Sequence, residues 1–156
     1  MDNDIKQQVE EALYRDPEVD PTDIAVAVRN GVVTLSGFVR SYKGKWQAEQ
    51  DAKSVAGVAG VADALAVHLP ELHQKSDPEL ARDTAVRLKH ELPYAHRFMK
   101  LVVENGWIRL VGDVEWNYQK EGAEQALRRE KGVIGINNEL RVERWVEPAD
   151  VKRRLR

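Results

Sequence analysis

The chain contains no cysteine, so disulfides, thiolate nucleophiles and thiolate metal ligands are excluded together. No run of 18 apolar residues occurs, and no segment reads as a bilayer-spanning helix. The opening residues, MDNDIKQQVEE, are acidic and polar and carry no apolar signal-peptide core. With Met1 as the start, the expected location is the cytoplasm; it becomes the periplasm if a leader has been removed. Charge of one sign is also missing. The net charge of −2 gives the whole molecule no strong attraction to nucleic acid or to an anionic surface. Residues 1–70 carry 7 basic against 11 acidic side chains, which argues further against nucleic acid.

Catalytic and metal-binding patterns are absent as well. His68, His73, His90 and His96 form no H-x-x-x-H or H-E-x-x-H spacing. Ser36, Ser41, Ser54 and Ser76 lie outside any G-x-S-x-G elbow. The glycines come singly, with no G-x-x-x-x-G-K-[ST] or G-x-G-x-x-G run to cradle a phosphate. The 26 carboxylates are spread along the chain as solvated faces usually are. The expectation is a protein that is not an enzyme and uses no metal and no cofactor.

What the chain does contain is a repeat. Residues 30–37 read NGVVTLSG, and 75 positions later residues 105–112 read NGWIRLVG. Setting 30–67 over 105–142 without a gap gives 14 identities in 38 positions. These include Asn30/Asn105, Gly31/Gly106, Leu35/Leu110, Gly37/Gly112, Ala48/Ala123, Gly57/Gly132 and Leu65/Leu140. A chain of 156 residues is thus read as two small domains rather than one average one.

Both copies parse alike. Ile24, Val26 and Val28 alternate as in a half-buried strand, as do Met99, Leu101 and Val103. Asn30-Gly31 and Asn105-Gly106 follow, the pair that a type I′ hairpin turn favours. A second strand carries a glycine, Gly37 or Gly112, expected to admit a helix backbone or a large side chain close to the sheet. Ala48, Ala52 and Val55 then mark a helix face; Ala123, Leu127 and Glu130 repeat it with the last position degraded. A third strand is expected over 61–69 and again over 136–142. A helix precedes each copy, through Ile5, Val9 and Leu13 in the first and over 81–92 in the second, where Pro93 stops it. About four extra residues are expected between helix and strand in copy one.

The fold expected is α+β: two tandem α-β-β-α-β units, each a small three-stranded sheet with helices packed on one face. The boundaries are 1–70 for the first unit, 71–78 for a linker and 79–145 for the second. Residues 146–156 read as a basic C-terminal helix, either capping the second unit or opening a third that is cut short.

The segments NGVVTLSGFVRS with GVAGVADALAV, and NGWIRLVGDVEW with GVIGINNELRV, resemble the BON family. The likeness rests on a hairpin glycine, a V-x-L-x-G-x-V strand and a closing G-V-x-x-V-x-N-x-L-x-V, and it covers nearly the whole chain. Copy one departs at Asp63, where the family pattern shows the asparagine that copy two keeps as Asn138. The resemblance implies a non-catalytic binding module, associated with phospholipid or cell-envelope contact and with osmotic or general stress.

The candidate contact residues are Arg40, Lys43, Lys45 and Trp46 in copy one, and Trp116, Tyr118 and Lys120 in copy two. Trp46 lies about 200° around its helix from Ala48, which predicts exposure beside the three cations. Trp116 sits in the matching region, although strand parity offers it an inward position with Leu110 and Val114. A tryptophan beside lysines suits a membrane interface or a partner surface, and packing between the copies is the competing account. Lipid contact predicts that Trp46 and Trp116 are exposed; a scaffold of assembling units, including self-association, predicts both buried. The tail KRRLR offers roughly 4 kcal/mol near an anionic surface, at about 1 kcal/mol per basic residue, too little for an anchor by itself.

Overall fold

The computed structural model describes residues 1–143. The proposed helix over 146–156 and the KRRLR segment lie outside the described residues. The chain divides into two compact units, Met1–Gln74 and Lys75 onward.

In the first unit, α1 (Asp2–Arg15) buries Ile5, Val9 and Leu13, which recur every four residues along one stripe. A 3-10 turn at Pro21–Asp23 leads into β1 (Ile24–Arg29), and β2 (Val32–Val39) returns beside it. Asn30 and Gly31 between them have φ of 52° and 80°. Two successive positive φ values make this the tight turn whose twist matches its strands. The helix α2 (Tyr42–Lys53) then crosses to β3 (Gly60–Val67). The sheet order is β1-β2-β3, antiparallel then parallel. Val33, Leu35, Val39 and Leu65 face α1 and α2, closing a core with Ala48 and Ala52.

The second unit repeats this with α3 (Asp77–Glu91), β4 (Met99–Glu104), β5 (Trp107–Val114) and α4 (Asn117–Arg128). Its core gathers Leu80 and Leu88 from α3, Ile108, Leu110 and Val114 from β5, and Ala123 and Leu127 from α4. Thr84 stands where Val9 stands in the first unit and is equally buried. Its hydroxyl donates to the Leu80 carbonyl at 2.6 Å, which satisfies it within the helix.

Four expectations are corrected. The third strand of the second unit comes in two pieces, β6 (Gly135–Asn138) and β7 (Arg141–Val142), both parallel to β5, so this sheet has four strands. The third strand of the first unit stops at Val67. The preceding helix of the second unit starts at Asp77, because Ser76 caps it and Glu79 reaches back to the Ser76 N–H. The stretch 71–78, expected as a linker, thus carries the cap and the first residues of α3. With α3 so placed, Asp2 pairs with Asp77 and Ile24 with Met99 at the constant offset of 75, leaving no extra residues in copy one.

The strand glycines also act differently from the expectation. A Cβ on Gly37 would strike the Asp23 carbonyl, and one on Gly112 would strike the Phe98 carbonyl. The close approach is made by the backbone entering the neighbouring strand, not by a helix or a side chain. Both glycines have positive φ, 103° and 135°, in a region open essentially to glycine alone.

Candidate functional site

Each proposed cation of the first unit has an intramolecular partner. Arg40 lies 3.6 Å from Asp23 and over the Phe38 ring at 5.6 Å, while Phe38 stacks on His68. Lys43 pairs with Glu18 at 2.9 Å. These contacts are solvent-exposed and weak, leaving both side chains able to exchange partners. Lys45 differs. Its ammonium donates to Asp63 at 2.9 Å and to the Leu65 carbonyl at 3.1 Å, with side-chain exposures of 20% for Lys45 and 11% for Asp63. It serves the fold at this position. Trp46, expected to be exposed, is half-buried, although Gly44, Ala48 and Ala52 mark the opposite side of α2 as its core face.

The second unit presents its aromatics more openly. Trp116 occupies the N-cap of α4, the place that Ser41 holds at the start of α2. Ser41 caps its helix by accepting from the Gly44 N–H at 3.0 Å. A tryptophan has no acceptor for that duty. Instead the buried Gln119 reaches back, its side-chain oxygen accepting from the N–H groups of Glu115 and Trp116, each at 3.0 Å. Trp116 is therefore 37% exposed rather than turned in with Leu110 and Val114, and Tyr118 beside it is 66% exposed. Lys120 is half-buried, and its backbone carbonyl accepts from the Asn138 side chain at 3.0 Å. The fold thus groups Trp116, Tyr118 and Lys120 at the start of α4, and Arg40, Lys43, Lys45 and Trp46 at the start of α2.

Three further features escaped the sequence reading. Asp2 accepts from the N–H groups of Asn30 and Gly31, and Asp77 from those of Asn105 and Gly106, so a helix start grips each hairpin turn. Extending the repeat upstream would have paired the two aspartates. The exposed Trp107 ring lies on the sheet face where a Cβ on Gly135 would otherwise sit. Burial, together with the neighbouring Asp16 carboxyl, pushes the Asp51 carboxyl up to about 7.

An ion-pair network spans α3 and the end of α4. Glu130, the degraded position of the helix pattern, is bound by Lys75 and by Arg87 at 2.5 Å, and Lys75 also holds Asp83 at 2.7 Å. Desolvation lowers the Lys75 pKa, but Asp83 and Glu130 outweigh it and hold the ammonium above its ordinary 10.5. The residue that breaks the apolar pattern is a tertiary anchor.

Among the described residues, no three side chains of histidine, cysteine or carboxylate type gather as metal ligands. No helix among them is long and apolar enough to cross a membrane. The cavities are shallow surface grooves, including one of about 400 Å³ beside the Glu130 network.

Comparison with known proteins gives these surfaces a family context. The chain is 32% identical over 146 residues to the osmotically-inducible protein Y of Escherichia coli, covering 90% of this chain and 72% of that protein. Among solved structures it is similar to CdsD, a structural protein of the type III secretion system of Chlamydia trachomatis. The TM-score is 0.43 and the identity 12%, with 98% of both chains covered. A structure of the CdsD C-terminal domain matches at TM-score 0.37 and 14% identity, over 91% of this chain and 67% of that one. The BON domain family model matches twice, at residues 1–68 and 81–144, and the chain belongs to the BON domain family as a tandem pair.

Proposed function

We propose that this chain is a non-catalytic binding module that attaches to anionic phospholipid surfaces of the cell envelope during osmotic or general stress. One observation carries the reading: a tryptophan stands at the N-cap of α4, where the sister unit has the serine that a cap favours. Local rules are broken at functional positions more often than elsewhere. The exposed Trp116 and Tyr118 place amphipathic rings on the surface, as interfacial residues are placed. The α4 N-terminus behind them carries the positive end of the helix dipole, which favours phosphate. Arg40 and Lys43 supply exchangeable cations on the first unit. The relative in Escherichia coli is named for osmotic induction, which supports the stress context.

The test is co-sedimentation with neutral and with anionic liposomes at low and physiological salt, reading tryptophan emission in the same samples. Pelleting with anionic vesicles and a blue shift are expected. Trp116→Ser restores the cap of the sister unit while removing the ring, so it keeps the fold and weakens binding roughly tenfold, the effect of losing somewhat over 1 kcal/mol of apolar burial. Wild-type protein that stays in the supernatant with unshifted emission sinks the lipid reading. A scaffold role, in which the units assemble with protein partners, then takes its place.

A further inference from the structure

The sheet of the second unit ends at β4, an edge strand with α3 running beside it. Between them lies a groove of about 430 Å³ lined by Ala81, Ala85, Leu88, His96, Met99 and Leu101, with Lys100 at its rim. The backbone of that edge is open. The two-residue turn at Asn105-Gly106 makes Glu104 and Trp107 a hydrogen-bonded pair. Alternation along the antiparallel ladder then directs the N–H and C=O groups of Lys100, Val102 and Glu104 to β5. Those of Leu101 and Val103 point away from the sheet. Met99, one step earlier on the same side, spends its N–H on the His96 carbonyl. Among the described residues no backbone partner occupies Leu101 or Val103.

The helix side of the groove is built from small residues. Ala81 and Ala85 correspond, at the offset of 75, to Lys6 and Glu10 on α1. The first unit thus carries long charged side chains where the second has methyl groups. Open backbone donors and acceptors, an apolar floor and a low helix wall are what an added strand requires. The edge has neither a proline nor a bulge, and its charged side chains are confined to Lys100 and Glu104. The charge at the groove comes from Lys100, and among the described residues that line it there is no carboxylate.

We propose that the α3–β4 groove of the second unit captures an extended segment of a partner protein by strand addition, with apolar side chains at alternate positions and a carboxylate flanking them. The added strand bonds to Leu101 and Val103, its apolar side chains pack under Ala81 and Ala85 against Leu88 and Leu101, and its carboxylate meets Lys100. This site is separate from the Trp116 surface and goes beyond the lipid reading.

The test uses the full chain, isotope-labelled, titrated with a synthetic ten-residue peptide that alternates valine with threonine and ends in glutamates. Amide exchange at Leu101 and Val103 is expected to slow, with the largest amide shifts along β4. A lysine-ended peptide of the same pattern is expected to bind about tenfold more weakly. Ala85→Arg, a change at an exposed helix position, is expected to fill the groove and weaken binding by about the same factor, while leaving the vesicle binding assigned to Trp116 unchanged. Val103→Pro removes one outward N–H and no ladder bond, and gives a second block on the same edge. No protection at Leu101 and Val103 up to millimolar peptide overturns the proposal. So does protection of those amides in concentrated protein without peptide, accompanied by a sedimenting dimer, since the edge is then paired with a second copy.

Discussion

Lys45 and Asp63 meet at 2.9 Å across the space between α2 and β3, and the corresponding positions of the second unit, Lys120 and Asn138, make a different contact. In both units the acid or amide side chain accepts from the backbone N–H two residues on, Leu65 or Leu140. Asn138 completes its bonding by donating to the Lys120 carbonyl and to the Glu124 carboxylate. Asp63 has no proton to donate, and the lysine ammonium turns in to answer it. The departure from the family asparagine is thereby compensated within the unit. Removing the lysine strands a largely buried carboxylate, so Lys45→Ala is expected to cost about 2–3 kcal/mol. Asp63→Asn, which keeps the bond from Leu65, is expected to cost about 1 kcal/mol or less. Urea unfolding of both variants checks the order; equal costs would show that the ammonium is not what holds the turn.

Gly37 and Gly112 have positive φ and face a carbonyl that leaves no room for a methyl group. Alanine at either position has to distort the entry of the neighbouring edge strand. Each substitution is expected to cost upwards of about 3 kcal/mol, combining backbone strain with overpacking. Thermal unfolding measures it. Alanine at the half-buried Gly60, where an added Cβ meets nothing within 4 Å, is the control, expected within about 1 kcal/mol of the wild type.

Asp77 ties the first turn of α3 to the hairpin, accepting from Asn105 at 2.8 Å and from Gly106 at 3.0 Å. Its loss leaves two turn N–H groups to water and removes an acidic residue from the positive end of the helix. Asp77→Ala is expected to destabilise the second unit by about 1–3 kcal/mol and to speed amide exchange at Asn105 and Gly106. Asp2→Ala is expected to do the same at Asn30 and Gly31. Exchange rates unchanged at those four amides would contradict the tie.

The Asp16–Asp51 pair makes the first unit sensitive to pH. Desolvation, then the hydrogen bond with Asp16, raises Asp51 from 3.8 to about 7, against the opposing bond from Gln47. Burial also pulls Asp16 upward, but hydrogen bonds from Asp51, the Glu18 N–H and Gln47 leave it below its ordinary value. A proton on Asp51 gives the pair its donor. Between pH 4 and 7 the folded state then binds more protons than the unfolded state, so stability falls as pH rises through that window. Asp16 acts in the opposite sense and at lower pH, its contribution being lost as pH falls below the ordinary carboxylate range. Urea midpoints are expected to decline from pH 5 to pH 8, and Asp51→Asn is expected to flatten the decline. A wild-type profile already flat over that range would rule the shared proton out.

The repeat, the hairpin turns and the helix faces were legible from residue types alone, because each depends on local periodicity or on a dihedral that asparagine and glycine adopt. Asn30-Gly31, Val33, Leu35 and the Ile5-Val9-Leu13 stripe carry their structural roles in their spacing. Which polar residues face each other was not legible. Lys45 read as a contact cation and proved to be held by Asp63, 18 residues away. Glu130 read as a decayed core position and anchors Lys75 and Arg87. Trp46 and Trp116 read as a matched pair, yet one is half-buried on a helix and the other stands on an N-cap whose duty Gln119 has taken over. By itself the sequence determined the two α-β-β-α-β units, since burial periodicity and turn chemistry are written in neighbouring residues. Only the tertiary structure decided which charges are spent inside the fold and which rings and strand edges stay open, because those pairings join residues that the chain brings together only after it has folded.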